Sequence, residues 1–148
     1  MLWRITAFLL VFVLLSPVSA SAAVADPIEP YASNYLTSYN AYVYCASSSQ
    51  IQVWFSVTGT TIMDELGTLS IKLFESADNS TWTHVKTFDH TVYSNMLYED
   101  DYFYMDHVTY YNGKAGYWYK AYVCIWAGRE GDGDTRYFWT SAKQAPTP

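Results

Sequence analysis

Five residues near the C-terminus have the composition of an ion-binding loop: Glu130-Gly131-Asp132-Gly133-Asp134. Glycines between acids let the backbone curl until several oxygens converge, as calcium requires. Asp132 and Asp134 are the candidate ligands, with Glu130 or a carbonyl completing the set. The same run equally suits a hairpin loop whose charges keep a strand edge soluble. An EF-hand is excluded, because Gly133 is misplaced and no glutamate follows at the required distance. No other metal or cofactor is implied.

The two cysteines, Cys45 and Cys124, are the next reactive pair. Residues 1–25 have the features of a secretory signal. A short segment carrying Arg4 precedes an apolar run over 5–15, broken by Ser16-Pro17. Ala23-Val24-Ala25 is the favoured cleavage site and Val18-Ser19-Ala20 the weaker one. The run is shorter than the ~20 residues a membrane span needs. Secretion to the extracellular side predicts an oxidising compartment, where a Cys45–Cys124 disulfide is expected. Loop-closure entropy assigns such a bridge about 4–5 kcal/mol. Two separate buried thiols are the alternative.

Catalysis finds little support. His84, His90 and His107 fall on separate segments with no ligand spacing, and no G-x-S-x-G elbow occurs. Any two of the acidic clusters at Asp64-Glu65, Glu99-Asp100-Asp101 and Asp132/Asp134 could meet across a cleft as an acid/base pair. Neighbouring acids in loops are more often solvated, so the chain reads as a non-enzyme, with a small secreted hydrolase as an alternative. Fourteen acidic against eight basic residues, a formal charge of −6, disfavour nucleic acid and anionic membranes as partners.

The aromatic content is the other candidate for function: 15 Tyr, 6 Trp and 7 Phe. Runs such as Tyr102-Phe103-Tyr104 and Tyr117-Trp118-Tyr119 place rings on both faces of a strand. One face can be core; the other presents amphipathic rings to a sugar, a peptide or a protein. Tyr also fills strands simply through its β-propensity. In residues 116–127, Trp118, Tyr122, Cys124 and Trp126 share one parity and read as core around the disulfide. Tyr117 and Tyr119 share the other and, with Tyr137 and Trp139 of the following strand, are the expected ligand-binding residues.

The elements that position these groups are strands. Residues 26–38 read as an extended lead-in. Alternation at 39–45 and 51–57 predicts a hairpin closed by a polar turn at 47–50. The stretch 59–67 reads as a loop with Met63 and Leu66 tucked in. Strands follow at 68–75 and 82–88, joined by Asx-turn chemistry at 76–80. An edge strand is expected near 91–97, a charged turn at 99–101 and a strand at 102–111. Asn112-Gly113 is a favoured hairpin turn, leading into 116–127 and 135–141. Residues 143–148 read as a tail. The class is all-β: an antiparallel two-sheet β-sandwich of seven or eight strands, in a domain spanning 39–142.

Tyr122-Val123-Cys124 matches the Y-x-C of the immunoglobulin tyrosine corner, and Trp54 follows Cys45 as a tryptophan follows the first cysteine there. The Cys45–Trp54 interval is short, and Trp54 is out of phase with the apolar row from Ile51 to Val57. Immunoglobulin-like topology is therefore one version of the sandwich. Residues 76–82 (SADNSTW) are similar to the Asp-box of sialidase-type propellers. They lack its glycine, are one residue short and occur once, so a hairpin turn backed by Trp82 is the preferred reading.

As a whole, the chain after Asp26 resembles a family of small secreted proteins of Gram-positive bacteria, catalogued as a domain of unknown function. The resembling stretches are 32–36, 51–57, 63–67 and 121–140, including Trp126-Ala127-Gly128. The resemblance implies a bacterial secreted β-protein. It implies no activity, and no functional residues carry over. The expectation is a secreted, non-catalytic protein binding a glycan, an envelope component or another protein. A calcium-stabilised structural module is the alternative. Ligand identity, strand order and oligomeric state are left open.

Overall fold

One strand is far longer than the alternation predicts. In the computed structural model, which describes residues 33–147, β2 runs from Ile51 to Ser76. The expected signal at 1–25 and most of the lead-in lie outside the described residues. At ~3.3 Å per residue a straight strand of this length would reach about 85 Å. A domain of ~100 residues has a radius of gyration of only ~13 Å. The strand must therefore bend, and the register breaks mark where.

Pairing with β4 (Leu97–Tyr110) slips between Thr58 and Met63. Pairing with β5 (Trp118–Arg129) slips between Thr68 and Ser70. Gly67 sits between the two breaks at φ 146°. A Cβ there would lie 2.2 Å from the Met96 carbonyl oxygen, so only glycine lets the backbones approach. The stretch expected as a loop at 59–67 is thus the irregular middle of β2. Met63 and Leu66 are buried within it, as expected.

The bend gives each half of β2 its own neighbours. Its first half lies between β1 (Leu36–Cys45) and β4. Its second half lies between β5 and β3 (Thr83–Asp89). Residues 65–67 pair with β4 and β5 at once, so β1 and β5 flank one side of β2 and β4 and β3 the other. Beyond β5 come β6 (Asp132–Trp139) and the short β7 (Lys143–Gln144). The chain is all-β in its regular structure apart from a 3-10 turn at Ser94–Met96. Among the described residues seven strands form one open antiparallel sheet.

Ile51, Val53, Phe55 and Val57 from the first half and Ile71 and Leu73 from the second join a single hydrophobic cluster. Val43 of β1, Val108 of β4 and Phe88 of β3 complete it, with Tyr119, Ala121, Val123, Ile125 and Ala127 of β5. Each large apolar side chain buried there contributes about 1.5–3 kcal/mol relative to exposure.

Several expectations are corrected. On β5 the inward row is Tyr119, Ala121, Val123, Ile125 and Ala127, each fully buried, and not Trp118, Tyr122, Cys124 and Trp126. Both rows are largely apolar, Lys120 being the one charge in the outward row, and packing against β2 decides between them: Ala121, Val123, Ile125 and Ala127 fit against its large inward residues, with Tyr119 at the end of the row. Asn112-Gly113 closes no hairpin, because β4 and β5 lie on opposite sides of β2 and do not pair. The crossing loop instead tucks against the β1–β2 turn, where the Gly113 N–H donates to the Ser49 carbonyl at 2.9 Å. The edge strand near 91–97 is replaced by a turn and the 3-10 segment, and the charged turn at 99–101 lies inside β4. Lys143 and Gln144, expected in a tail, pair with β5.

The expected disulfide is absent: Cys45 and Cys124 are both free thiols. Cys45 ends β1 and packs on the core side. Cys124 belongs to the outward row of β5, between Ser70 and Tyr137. The two thiols therefore lie on opposite faces. Burial raises both above the ordinary thiol value, offset at Cys45 by Lys143 and at Cys124 by bonds to Tyr137 and Ser70.

Candidate functional site

The outward face of the second half of the sheet gathers rings from four strands. Register places Lys72 of β2 beside Tyr122 of β5, Tyr122 beside Trp139 of β6, and Phe74 beside Lys120. The Tyr122 and Trp139 rings are 5.0 Å apart, and Tyr122 and Tyr137 stack at 5.9 Å. Phe74 lies 5.1 Å from Trp139 and 5.3 Å from the His84 ring of β3. Tyr137 is 60% and Trp139 49% exposed, so these rings cohere without being buried. Each such pair contributes about 0.5–1.5 kcal/mol beyond the area it covers.

Trp82 reaches the same face from the turn after β2. The Asp78 carboxylate accepts bonds from the Thr81 and Ser80 N–H groups and from the Ser76 hydroxyl. These bonds hold it well below the usual carboxylate range. The stretch similar to an Asp-box is thus a self-bonded Asx turn with Trp82 behind it. Lys120 Nζ lies 4.2 Å from the Trp82 ring centroid and 4.6 Å from that of Trp139, a cation between two indoles. Such contacts are worth about 0.5–1 kcal/mol each when exposed.

The four residues expected to bind ligand are therefore divided. Tyr137 and Trp139 lie on this face. Tyr117 is half-buried under the Lys114 ammonium, 5.0 Å from its ring. Tyr119 is a correction: it is fully buried in the core, and its hydroxyl accepts from the Lys114 N–H at 2.8 Å. The same hydroxyl faces Glu75, whose carboxylate is ion-paired with Lys114. Burial first, then the Glu75 charge, pushes the Tyr119 phenol up to about 12. Phe74, Trp82, Lys120 and Tyr122 were missed as members of the face. Their only signal is the β2–β5 register, a pairing between distant segments that local alternation does not contain.

The acidic run is also corrected. Glu130 and Gly131 alone form the turn between β5 and β6, both at positive φ as a two-residue I′ hairpin requires. Asp132 and Asp134 are strand residues on one face, and each has another partner. The Ser33 hydroxyl donates to Asp134, the Tyr35 hydroxyl donates to Asp132 at 3.0 Å, and Arg136 lies 3.8 Å from Asp134. Glu130 pairs with Arg129 at 3.3 Å. Among the described residues no three His, Cys, Asp or Glu side chains converge as a metal site.

The three histidines are equally scattered. His84 meets Thr87, His90 meets the Leu69 carbonyl, and His107 stacks on Trp54 at 4.4 Å. Tyr42 continues that stack on the outward face of the first half of the sheet, 6.5 Å from Trp54.

Comparison with family models, curated proteins and solved structures gives no match to this chain.

Proposed function

We propose that this is a secreted, non-catalytic protein that binds a glycan through the aromatic face of Phe74, Trp82, Tyr122, Tyr137 and Trp139. The observation carrying the reading is the set of mutually packed but half-exposed rings at Trp139, Tyr122 and Tyr137. Sugar C–H edges carry partial positive charge and stack on the negative faces of such rings. Tyr hydroxyls and the Lys120 ammonium supply donors for sugar oxygens. The Lys120 ammonium lies between the Trp82 and Trp139 indoles, and a charged donor within the ring cluster favours a hydroxyl-rich ligand over a purely apolar protein patch.

The layering that fits this role is a β-sandwich in which the two halves of the bent sheet face one another. Support comes from the single core cluster shared by both halves. The Tyr39 and Phe138 rings, 5.3 Å apart, link β1 to β6 across the open side. In that arrangement the aromatic face points to solvent on one outer layer.

The test is binding to a panel of soluble polysaccharides, followed by tryptophan fluorescence and calorimetry. Trp139→Ala and Tyr137→Ala should each weaken a bound glycan tenfold or more, about 1.4 kcal/mol. Tyr42→Ala, on the other half of the sheet, should not. Binding that survives loss of both Tyr137 and Trp139 would overturn the assignment.

A further inference from the structure

Among the described residues, neither lysine on the aromatic face is paired with a carboxylate. The protein is acidic overall, with a formal charge of −6. Lys114, Arg129 and Arg136 all sit against carboxylates. Among the described residues, neither Lys72 nor Lys120 meets one. Register places them diagonally across the β2–β5 pair, with Tyr122 opposite Lys72 and Phe74 opposite Lys120. Diagonal neighbours in an antiparallel pair are about 7–8 Å apart. The two lysines therefore share one ring-lined surface, and no carboxylate lies within ion-pair distance of either among the described residues. Asp89, opposite Ser70 and so diagonal to Lys72 across the β2–β3 pair, is the acid at the rim of this face; its carboxylate accepts from the Thr91 N–H and hydroxyl and makes no ion pair with Lys72.

Lys120 is also held in place. The indoles of Trp82 and Trp139 lie on its ammonium, and an aromatic ring offers a cation only its weak quadrupole. The donors of the ammonium remain available to an acceptor arriving from solvent. A charge-assisted bond from such a donor is roughly twice as strong as a neutral one.

We infer that the face takes an acidic polysaccharide: a sugar ring stacks on Trp139 and Tyr137 while an anionic substituent sits between Lys72 and Lys120. This rests on the glycan reading above and adds the charge of the ligand. The shared chemistry is an anion carried on a sugar ring, whether carboxylate or sulfate. The arms of the experiment separate these two.

The experiment measures affinity of the full secreted protein for polygalacturonate, for the same polymer with its carboxyls reduced, and for a sulfated polysaccharide, at low and high salt. Polygalacturonate, the sulfated polymer or both should bind at least tenfold tighter than the reduced polymer, and the difference should collapse in high salt. The variant Lys72→Gln should lose most of the preference while still binding the reduced polymer, and the double variant Lys72→Gln/Lys120→Gln should bind charged and reduced polymers with equal affinity. Lys120→Arg, which keeps the charge on the indoles, should retain the preference, and circular dichroism confirms that each variant is folded. Equal affinity for charged and reduced polymers would overturn this inference and leave the glycan reading intact. Binding to none of the polymers, nor to the wider panel, would overturn both.

Discussion

The Tyr35 hydroxyl donates to the Asp132 carboxylate at 3.0 Å, tying the start of β1 to the first residue of β6 across 97 positions of sequence. That bond, with the neighbouring one from Ser33 to Asp134, gives both aspartates of the acidic run partners within the chain. It also keeps the Tyr35 phenol above its ordinary value, chiefly through the bond itself. A calcium ion at a hundredfold its dissociation constant would add about 2.7 kcal/mol. We expect calorimetric melting to be unchanged by calcium or chelator, and to fall slightly in Tyr35→Phe.

Stability should decline in alkali through Tyr119. Its phenol titrates near 12 when folded and near ~10 when unfolded. A raised value means the contribution is complete below pH 10 and is lost as pH rises towards 12. Tyr104, raised by burial and then by its bond to Asp106, acts in the same direction. Tyr119→Phe should shallow this decline. It should also cost about 1–3 kcal/mol at neutral pH, because the Lys114 N–H loses its buried acceptor. Urea titrations at several pH values measure both effects.

Gly67→Ala should destabilise by about 1–3 kcal/mol or more, since it combines a backbone conformation disfavoured for L residues with a collision at the Met96 carbonyl. Gly131→Ala also meets positive φ but open space, and should cost only about 1 kcal/mol. The difference between their urea midpoints tests whether the β2 bend depends on close backbone approach.

The thiols should behave as separate groups. Cys45 is half-buried, whereas Cys124 is 4% exposed. A thiol reagent should label Cys45 slowly in the native protein and Cys124 only on unfolding. Reductant should leave the melting temperature unchanged. A drop of several degrees on reduction would show that the two are bridged.

Trp139→Ala should separate binding from folding. The ring is about half exposed, so the stability lost is that of its aromatic and cation contacts, about 1 kcal/mol. The effect on glycan affinity should be larger.

Alternation alone determined that Ile51, Val53, Phe55 and Val57 point one way along a strand, and that a Gly/Asp loop around residues 130–134 joins two strands. Those are local matters of pleat and φ, readable wherever one face is apolar and the other polar. On β5 both faces are rich in large apolar side chains, and the single Lys120 on one of them was too little to set direction, so parity was visible while direction was not. Whether Tyr119 or Tyr122 enters the core depended on packing against β2. The hairpin expected at Asn112-Gly113 failed for a related reason: a favourable turn dipeptide says nothing about which side of β2 each flanking strand joins. The cysteines likewise satisfied every compartment argument for pairing, yet the sheet places them on opposite faces. Tyr137 and Trp139 were recognisable as aromatic. Their union with Trp82, Phe74 and Lys120 exists only because a bent β2 pairs its second half with β5, and no local pattern encodes a contact between segments so far apart in the chain.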